Sequence, residues 1–114
     1  MLLLTHSLKA AVVEIEGVYY NLVTKGKVAE VTAGTNAYTG VITIPGTVDY
    51  EGVTYDVTAI SDNAFANYVG VTDVTIGDKV TSIGEYAFSR CTGLTSLVIG
   101  SECDQDYEQC FPEL

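Results

Sequence analysis

A repeat of 23 residues is the feature that most restricts how this chain can fold. Residues 60–77, ISDNAFANYVGVTDVTIG, align without gaps on residues 83–100, IGEYAFSRCTGLTSLVIG, and seven of the 18 positions are identical, including Phe65 with Phe88. A short period of this kind is typical of solenoids, in which one unit buries its apolar side by stacking on the next. The repeat therefore predicts stacked coils.

Each unit contains one short strand and one compact turn. Residues 71–76 and 94–99 have the L-x-x-L-x-L pattern, in which the apolar side chains point inward and the side chains between them point outward. The outward positions are Asp73, Thr75, Ser96 and Val98. Residues 84–88 indicate one or two helical or 3₁₀ turns, and we expect Phe65 and Phe88 to stack along the coil axis.

The segments around the two repeats indicate caps. Residues 42–48 match residues 74–80 as half of a repeat, and residues 49–57 indicate an inserted hairpin around Gly52. Turns at Glu16-Gly17 and Lys25-Gly26 separate further β-rich stretches. The predicted limits are 1–11 for the remnant of a signal peptide or a disordered start, 12–57 for an N-terminal β cap with the inserted hairpin and half repeat, 58–100 for the two repeats, and 101–114 for a degenerate C-terminal capping repeat.

The second unit resembles the BspA-like subtype of leucine-rich repeats, which is found in bacterial cell-surface and secreted proteins. That repeat reads I-G-x-x-A-F-x-x-C-x-x-L-x-x-I-x-I-P, and residues 83–100 follow it, with Cys91 at the cysteine and Gly100 in place of proline. The resemblance implies a leucine-rich-repeat solenoid that is rich in β-structure, winds as a right-handed coil and is capped at its N-terminus by β-hairpins. It also implies adhesion and binding to host or matrix proteins, and it carries no catalytic residue.

The cysteines offer little support for catalysis. A nucleophilic cysteine needs a base within reach, but the single histidine is His6, and Cys91 occupies an inward repeat position. Cys103 and Cys110 fit either two packed thiols or a disulfide. We therefore expect Cys91 to be structural.

The carboxylates are equally weak candidates for catalysis or metal binding. Glu14 with Glu16, and Asp104 with Asp106, lie on extended segments that supply no cleft for a sugar. The pattern Asp104-x-Asp106-x-Glu108 copies the first ligands of an EF-hand loop, but glycine is missing from the sixth position. The sequence thus predicts no enzyme, no catalytic residue, no metal site and no cofactor.

Charge restricts the partners. Fifteen acidic residues and five basic ones give a formal net charge of −10, which disfavours nucleic acid and anionic membrane surfaces. No apolar run reaches the roughly 18 to 20 residues that a membrane span needs, so we expect no membrane insertion. Exposure, which a binding patch would need, is expected for four of the eight tyrosines: Tyr38, Tyr50, Tyr55 and Tyr86.

These observations predict a non-enzymatic module of a bacterial surface or secreted protein that binds a protein or glycan. The candidate contact residues lie on the strands and the inserted hairpin: Asp73, Thr75, Ser96, Val98, Tyr50 and Tyr55. The alternative is an end cap or spacer of a longer repeat array with no ligand of its own. Self-association through exposed coil edges is a further hypothesis.

Overall fold

The computed structural model describes residues 12–100, which contain nine β-strands. The strands are β1 Val12–Ile15, β2 Val18–Val23, β3 Val28–Thr32, β4 Gly40–Ile44, β5 Thr47–Tyr50, β6 Val53–Ile60, β7 Val71–Ile76, β8 Ser82–Ile83 and β9 Ser96–Val98. Sheet A has the order β1-β2-β3-β6-β5 with β8 beside β6, and sheet B has the order β4-β7-β9. The predictions for residues 1–11 and 101–114 lie outside the described residues.

Sheet A contains three antiparallel hairpins, β1-β2, β2-β3 and β5-β6, and the turns of the first and the third have the same backbone form. Glu16-Gly17 joins β1 to β2, and Glu51-Gly52 joins β5 to β6. The φ angles of these four residues are 51°, 86°, 51° and 82°. Two successive residues with positive φ form the type I′ turn, whose twist matches that of the flanking strands. The turn predicted at Lys25-Gly26 connects β2 to β3. These turns lie where the sequence predicted them, and the division of residues 12–57 into a cap with an inserted hairpin stays a prediction.

Sheet B is parallel, and its register reproduces the 23-residue alignment. Val74 of β7 lies opposite Leu97 of β9 on one side and opposite Ile42 of β4 on the other. In sheet A the same spacing pairs Ile60 of β6 with Ile83 of β8. The alignment of one unit on the next therefore predicted which residues are neighbours in adjacent coils.

The two sheets contribute to one apolar core. The rings of Phe65 and Phe88 are 5.2 Å apart between centroids, and their planes are inclined by only 7°. Phe65 is completely buried and Phe88 nearly so, which confirms the predicted stack. The inward positions of the first repeat, Val71, Val74 and Ile76, are also buried, whereas their counterparts in the second repeat, Leu94, Leu97 and Ile99, are partly buried against the same core.

The predicted helical or 3₁₀ turns are not confirmed, because segments 61–67 and 84–90 are successive hydrogen-bonded turns. The backbone N–H groups of Asn63, Phe65 and Asn67 do not bond along their own segment. They donate to the next coil, to the carbonyl oxygens of Glu85, Ala87 and Ser89 at 3.1, 2.8 and 2.8 Å. Positive φ at Asn63 and Asn67, 59° and 69°, also interrupts a right-handed helix. Within residues 12–100 no helix is long and apolar enough to cross a membrane.

Side chains reinforce the stacking of these turns. The carboxylate of Asp62 accepts a hydrogen bond of 2.8 Å from the backbone N–H of Glu85, and the two residues are 23 positions apart. The backbone N–H of Thr95 donates to the carbonyl oxygen of Thr72 at 2.8 Å, again across one period. The same spacing thus recurs in the apolar, the backbone and the polar contacts between coils.

Glycine at the coil corner permits close approach of adjacent coils. A Cβ atom on Gly77 would lie 2.6 Å from the carbonyl carbon of Pro45 and 2.7 Å from the backbone nitrogen of Gly46. Backbone atoms cannot move aside as a flexible side chain can, so a larger residue at this position would push the coils apart. Gly100 takes the same position against Gly77 one coil later.

The N-terminal strands continue the sheet of the coils. β3 pairs in parallel with β6, and Val31 lies opposite Ile60. This pairing places β1, β2 and β3 beside the first full coil. Their capping role and the right-handed winding stay predictions.

Candidate functional site

The outward side chains of sheet B form one continuous surface. Their backbone register places them in two rows across the three strands, one of Val41, Asp73 and Ser96 and the other of Thr43, Thr75 and Val98. We call these six residues the sheet B face. Because neighbouring strands are about 4.8 Å apart and alternate residues about 6.6 Å apart, the rows span an area of roughly 10 by 7 Å between Cα atoms. The structure thus brings the four predicted strand residues together.

The sheet B face combines apolar, hydroxyl and carboxylate groups. Val41 and Val98 are 69% and 52% exposed and lie at opposite corners, while Thr75 is exposed at the centre of its row. The half-buried Asp73 accepts a hydrogen bond of 2.9 Å from the hydroxyl of Thr72, which orients its carboxylate. These groups can make apolar contacts and hydrogen bonds with a partner surface.

An open hollow of about 600 Å³ borders this face where its strands end. The row of Thr43, Thr75 and Val98 forms one wall, and the coil corners at Gly77 and Gly100 form another. The hollow allows part of a partner to extend past the face toward the corner of the coils.

Val41 and Thr43 are the two residues of this face that the sequence analysis missed. The match of residues 42–48 with 74–80 contained the necessary signal, because it places Thr43 at the position of Thr75. Extending that match by one residue gives Val41 at the position of Asp73.

The two hairpin tyrosines lie on sheet A, away from the sheet B face. The prediction that Tyr55 is exposed was wrong, because its side chain is only 4% exposed and lies beside the buried Val48 on the paired strand. Tyr50 is half-buried at the end of β5. Tyr86, which lies in a turn, is exposed as expected. Tyr55 is therefore a core residue and cannot contact a ligand at the surface.

The prediction of exposure was also wrong for Tyr38, which is 3% exposed. Its ring lies 4.4 Å from that of Phe65, so it extends the stack of phenylalanines by one ring. Its hydroxyl donates to the carbonyl oxygen of Thr32 at 2.7 Å and accepts from the backbone N–H of Tyr19 at 2.9 Å. Burial raises the pKa of Tyr38 to about 12. Tyr38 thus joins the N-terminal strands to the core.

Cys91 is buried as predicted, and its thiol has a structural contact. The Sγ atom donates a hydrogen bond of 2.9 Å to the carbonyl oxygen of Phe65 in the preceding coil. Burial raises the pKa of the Cys91 thiol, which disfavours the nucleophilic thiolate. These properties are those of a packed core cysteine rather than a catalytic one.

The N-terminal carboxylates lie at the surface of the first hairpin. Glu14 is exposed and accepts a hydrogen bond of 3.1 Å from the backbone N–H of Gly17, and Glu16 is exposed in the turn itself. Among residues 12–100 no group of three or more His, Cys, Asp or Glu side chains is placed to hold a metal ion. The acidic pattern that begins at Asp104 lies outside the described residues.

The chain matches a known family of protein sequences. The sequence model of the BspA type Leucine rich repeat region (6 copies) matches residues 52–114, more than half of the chain. Among curated proteins, none matches the chain significantly.

Solved structures of bacterial leucine-rich-repeat proteins are similar to most of this chain. A leucine rich cell surface protein from Faecalibacterium prausnitzii has 33% identity and a TM-score of 0.66 over 84% of this chain and 25% of that one. A leucine-rich repeat protein from Bacteroides ovatus has 31% identity and a TM-score of 0.71 over 79% of this chain and 24% of that one. A third, from Bacteroides capillosus, has 30% identity and a TM-score of 0.68 over 78% of this chain and 65% of that one. The match covers about a quarter of the length of the Faecalibacterium prausnitzii and Bacteroides ovatus proteins.

Proposed function

Because the chain belongs to the BspA type leucine-rich-repeat family, we propose that it is a protein-interaction module of a bacterial surface or secreted protein and binds its partner through the sheet B face. The observation that carries this proposal is the alignment of six outward side chains in two rows on three parallel strands. Such a rigid surface can hold its contact groups in place before a partner arrives, which lowers the entropy cost of binding. Adhesion to a host or matrix protein is the form of binding that we propose.

A protein ligand fits this face better than a glycan does. Sugars bind well to exposed aromatic rings, and none of the six residues of the face is aromatic. The exposed valines, Val41 and Val98, instead suit apolar contact with a protein, and the hydroxyls of Thr43, Thr75 and Ser96 suit hydrogen bonds with its polar groups.

The test is a binding screen of the purified full chain against immobilised extracellular-matrix and serum proteins, with a glycan array in parallel. Thr75→Arg places a long charged side chain at the centre of a row. Thr92→Arg adds the same charge to an exposed turn and serves as the matched control. We expect Thr75→Arg to weaken binding of a captured protein at least about tenfold and Thr92→Arg to leave it unchanged. A captured protein that binds both variants equally would contradict the use of this face, and binding to glycans alone would contradict a protein ligand.

The second candidate function is that of an end cap or spacer in a longer array. It is supported by the coverage of the solved relatives, since the chain spans only about a quarter of two of them. The test compares the protein encoded by the full reading frame with the isolated chain. A partner that the longer protein binds equally well with and without Thr75→Arg favours the spacer.

We further propose that the protein is displayed outside the cell and is not an enzyme. The cell-surface description of the Faecalibacterium relative supports the location, and the structural hydrogen bond of the buried Cys91 thiol supports the absence of catalysis by this residue. Labelling of intact cells with an antibody against the chain tests the location. Labelling only after cells are made permeable would contradict it.

A further inference from the structure

β4 is the outermost described strand of sheet B, and it has a free edge. It pairs with β7 on one side, and no described strand pairs with it on the other. A free edge presents backbone N–H and C=O groups that another extended chain can bind. The edge therefore has the groups needed to accept one more strand.

Val41 and Thr43 supply the backbone groups of this free edge. On β7 the carbonyl oxygen of Thr72 accepts from the backbone N–H of Thr95, on the side of β9. Backbone groups of successive residues in a strand point to opposite neighbours, so those of Asp73 point toward β4. The buried residues of β4 receive these bonds. The N–H and C=O groups of its exposed residues, Val41 and Thr43, consequently point away from β7.

A groove runs along this edge. One part has a volume of about 450 Å³ and an adjoining part about 270 Å³, and Glu16, Val41 and Thr43 line both. The opposite wall is the turn between β1 and β2, and the buried Tyr20 and Val48 lie at the base of the larger part. We call this the β4 groove. β4 itself has five residues, so the groove matches an extended segment of about that length.

The charge of the β4 groove is acidic. The exposed carboxylates of Glu16 and Asp49 lie along the larger part, and neither part is lined by a lysine or arginine of the described chain. The whole chain carries a formal net charge of −10, so the field of the molecule also favours a cationic ligand. A second copy of this acidic chain is a poorer occupant for the same reason.

We propose that the β4 groove binds an extended peptide segment that carries lysine or arginine and adds to β4 as a further strand of sheet B. The backbone of the peptide bonds to Val41 and Thr43, which supplies affinity for any extended chain. Its basic side chains meet Glu16 and Asp49, which supplies selectivity, as alternate side chains do in other cases of strand addition. This proposal uses the edge of β4 and does not depend on the sheet B face.

The test uses the full chain and two fluorescein-labelled heptapeptides of alternating residues, one with Lys and Val and one with Glu and Val. Fluorescence anisotropy in low salt measures the dissociation constants, and ¹H-¹⁵N spectra report the amides of Val41 and Thr43. We expect saturable binding of the lysine peptide with shifts of these two amides, and no binding of the glutamate peptide. The opposite selectivity, or shifts confined to other residues, would overturn the proposal.

Charge variants test the selectivity. Glu16→Gln with Asp49→Asn should weaken binding of the lysine peptide about tenfold, since two exposed ion pairs contribute that much together at low salt. Glu51→Gln with Glu85→Gln removes the same charge from exposed positions outside the groove and should change binding less than about twofold. Equal losses in the two double variants would show that net charge alone attracts the peptide and would overturn the proposed site.

A backbone variant tests strand addition. Thr43→Pro removes one N–H group from the free edge, a position at which sheets tolerate proline, and should abolish the amide shift at Val41 together with binding. Where this variant fails to fold, the charge variants still decide. Concentration-dependent dimerisation through β4, or nuclear Overhauser effects from β4 to residues 1–11, would identify the occupant as a second copy or as this chain's own first segment and would overturn the proposal.

Discussion

Truncation of Phe65 to alanine tests the stacked-coil core most directly. Its ring is fully buried between that of Tyr38, 4.4 Å away, and that of Phe88, 5.2 Å away. Removing the ring therefore opens a cavity between two coils and breaks the aromatic stack at its centre. Both neighbours lose a contact at once.

The expected cost follows from the buried area. A buried phenylalanine covers about 150–250 Å², and the loss of roughly 150 Å² at about 25 cal/mol per Å² amounts to about 4 kcal/mol. This value agrees with the range of about 3–5 kcal/mol for large aromatic truncations in cores. Phe65→Leu keeps most of the volume but loses the ring contacts, so it should cost about 1–2 kcal/mol.

Urea unfolding followed by circular dichroism and tyrosine fluorescence measures these changes in the free energy of unfolding. Val69→Ala is the matched control, because Val69 lies four residues after Phe65 and is 62% exposed. Its free energy of unfolding should change by no more than about 0.5 kcal/mol. Combining Phe65→Leu with Phe88→Leu should reveal a coupling of about 0.5–1.5 kcal/mol. A cost for Phe65→Ala within about 1 kcal/mol of the control, or a coupling of zero, would refute the stack.

Three further predictions follow from the packing. Gly77→Ala should lower the free energy of unfolding by about 1–3 kcal/mol because its Cβ would strike backbone atoms. Gly46→Ala is the control and should be nearly neutral, since its Cβ would meet only a lysine side chain at 3.7 Å. Equal melting temperatures of the two variants would contradict the close approach of adjacent coils at Gly77. Tyr38→Phe should cost about 1–3 kcal/mol, since it leaves two backbone groups without a partner. The pKa of Tyr38 is raised to about 12, so its hydroxyl stabilises the fold fully below about pH 10, and this contribution is lost as pH rises toward 12. The loss of stability at alkaline pH should therefore be smaller in Tyr38→Phe than in the unchanged chain. Alkylation of Cys91 by iodoacetamide, in a variant whose other two cysteines are serine, should be at least about tenfold slower in the folded chain than in urea; equal rates would contradict its burial.

The inter-coil contacts were predictable because they depend on the period alone. Once residues 60–77 are aligned on 83–100, the stack of Phe65 on Phe88 and the pairing of Val74 with Leu97 follow without knowledge of the turns between them. The hairpin turns were predictable for a different reason, since a β-rich segment interrupted by Glu-Gly fits only a few turn types. Local chemistry and repetition therefore determined most of the fold.

The errors concerned residues whose environment depends on contacts outside the period. Tyr38 precedes Phe65 by 27 residues rather than 23, so the alignment gave no sign that its ring joins the aromatic stack. Val53, Tyr55 and Val57 lie on one face of β6 because they are two residues apart, and the polar Thr54 and Asp56 lie on the other. This period-two alternation was the signal that could have placed Tyr55 inside. The helical or 3₁₀ turns are not confirmed because alternate N–H groups of residues 63–67 bond to the next coil, which local sequence does not reveal.

The candidate site was predictable in part. The outward positions of β7 and β9 follow from the strand pattern, and the half repeat at residues 42–48 gives their neighbours on β4. The β4 groove could not be predicted from the sequence, because it depends on where the first hairpin places Glu16 relative to Val41. That distance is a property of the assembled sheets.

The recurrence of contacts at one period also bears on how such a protein changes in evolution. Duplication of 23 codons by unequal recombination would insert one coil that makes the same contacts with its neighbours as the existing coils make. A phenylalanine ring would stack on a phenylalanine ring, and a threonine carbonyl oxygen would accept from a threonine N–H. An acidic side chain in one turn would accept from a backbone N–H of the next turn. An insertion of another length keeps these pairs only if it loops out between strands, as the hairpin of β5 and β6 does between β4 and β7. Selection on stability alone would therefore favour arrays that lengthen by whole coils.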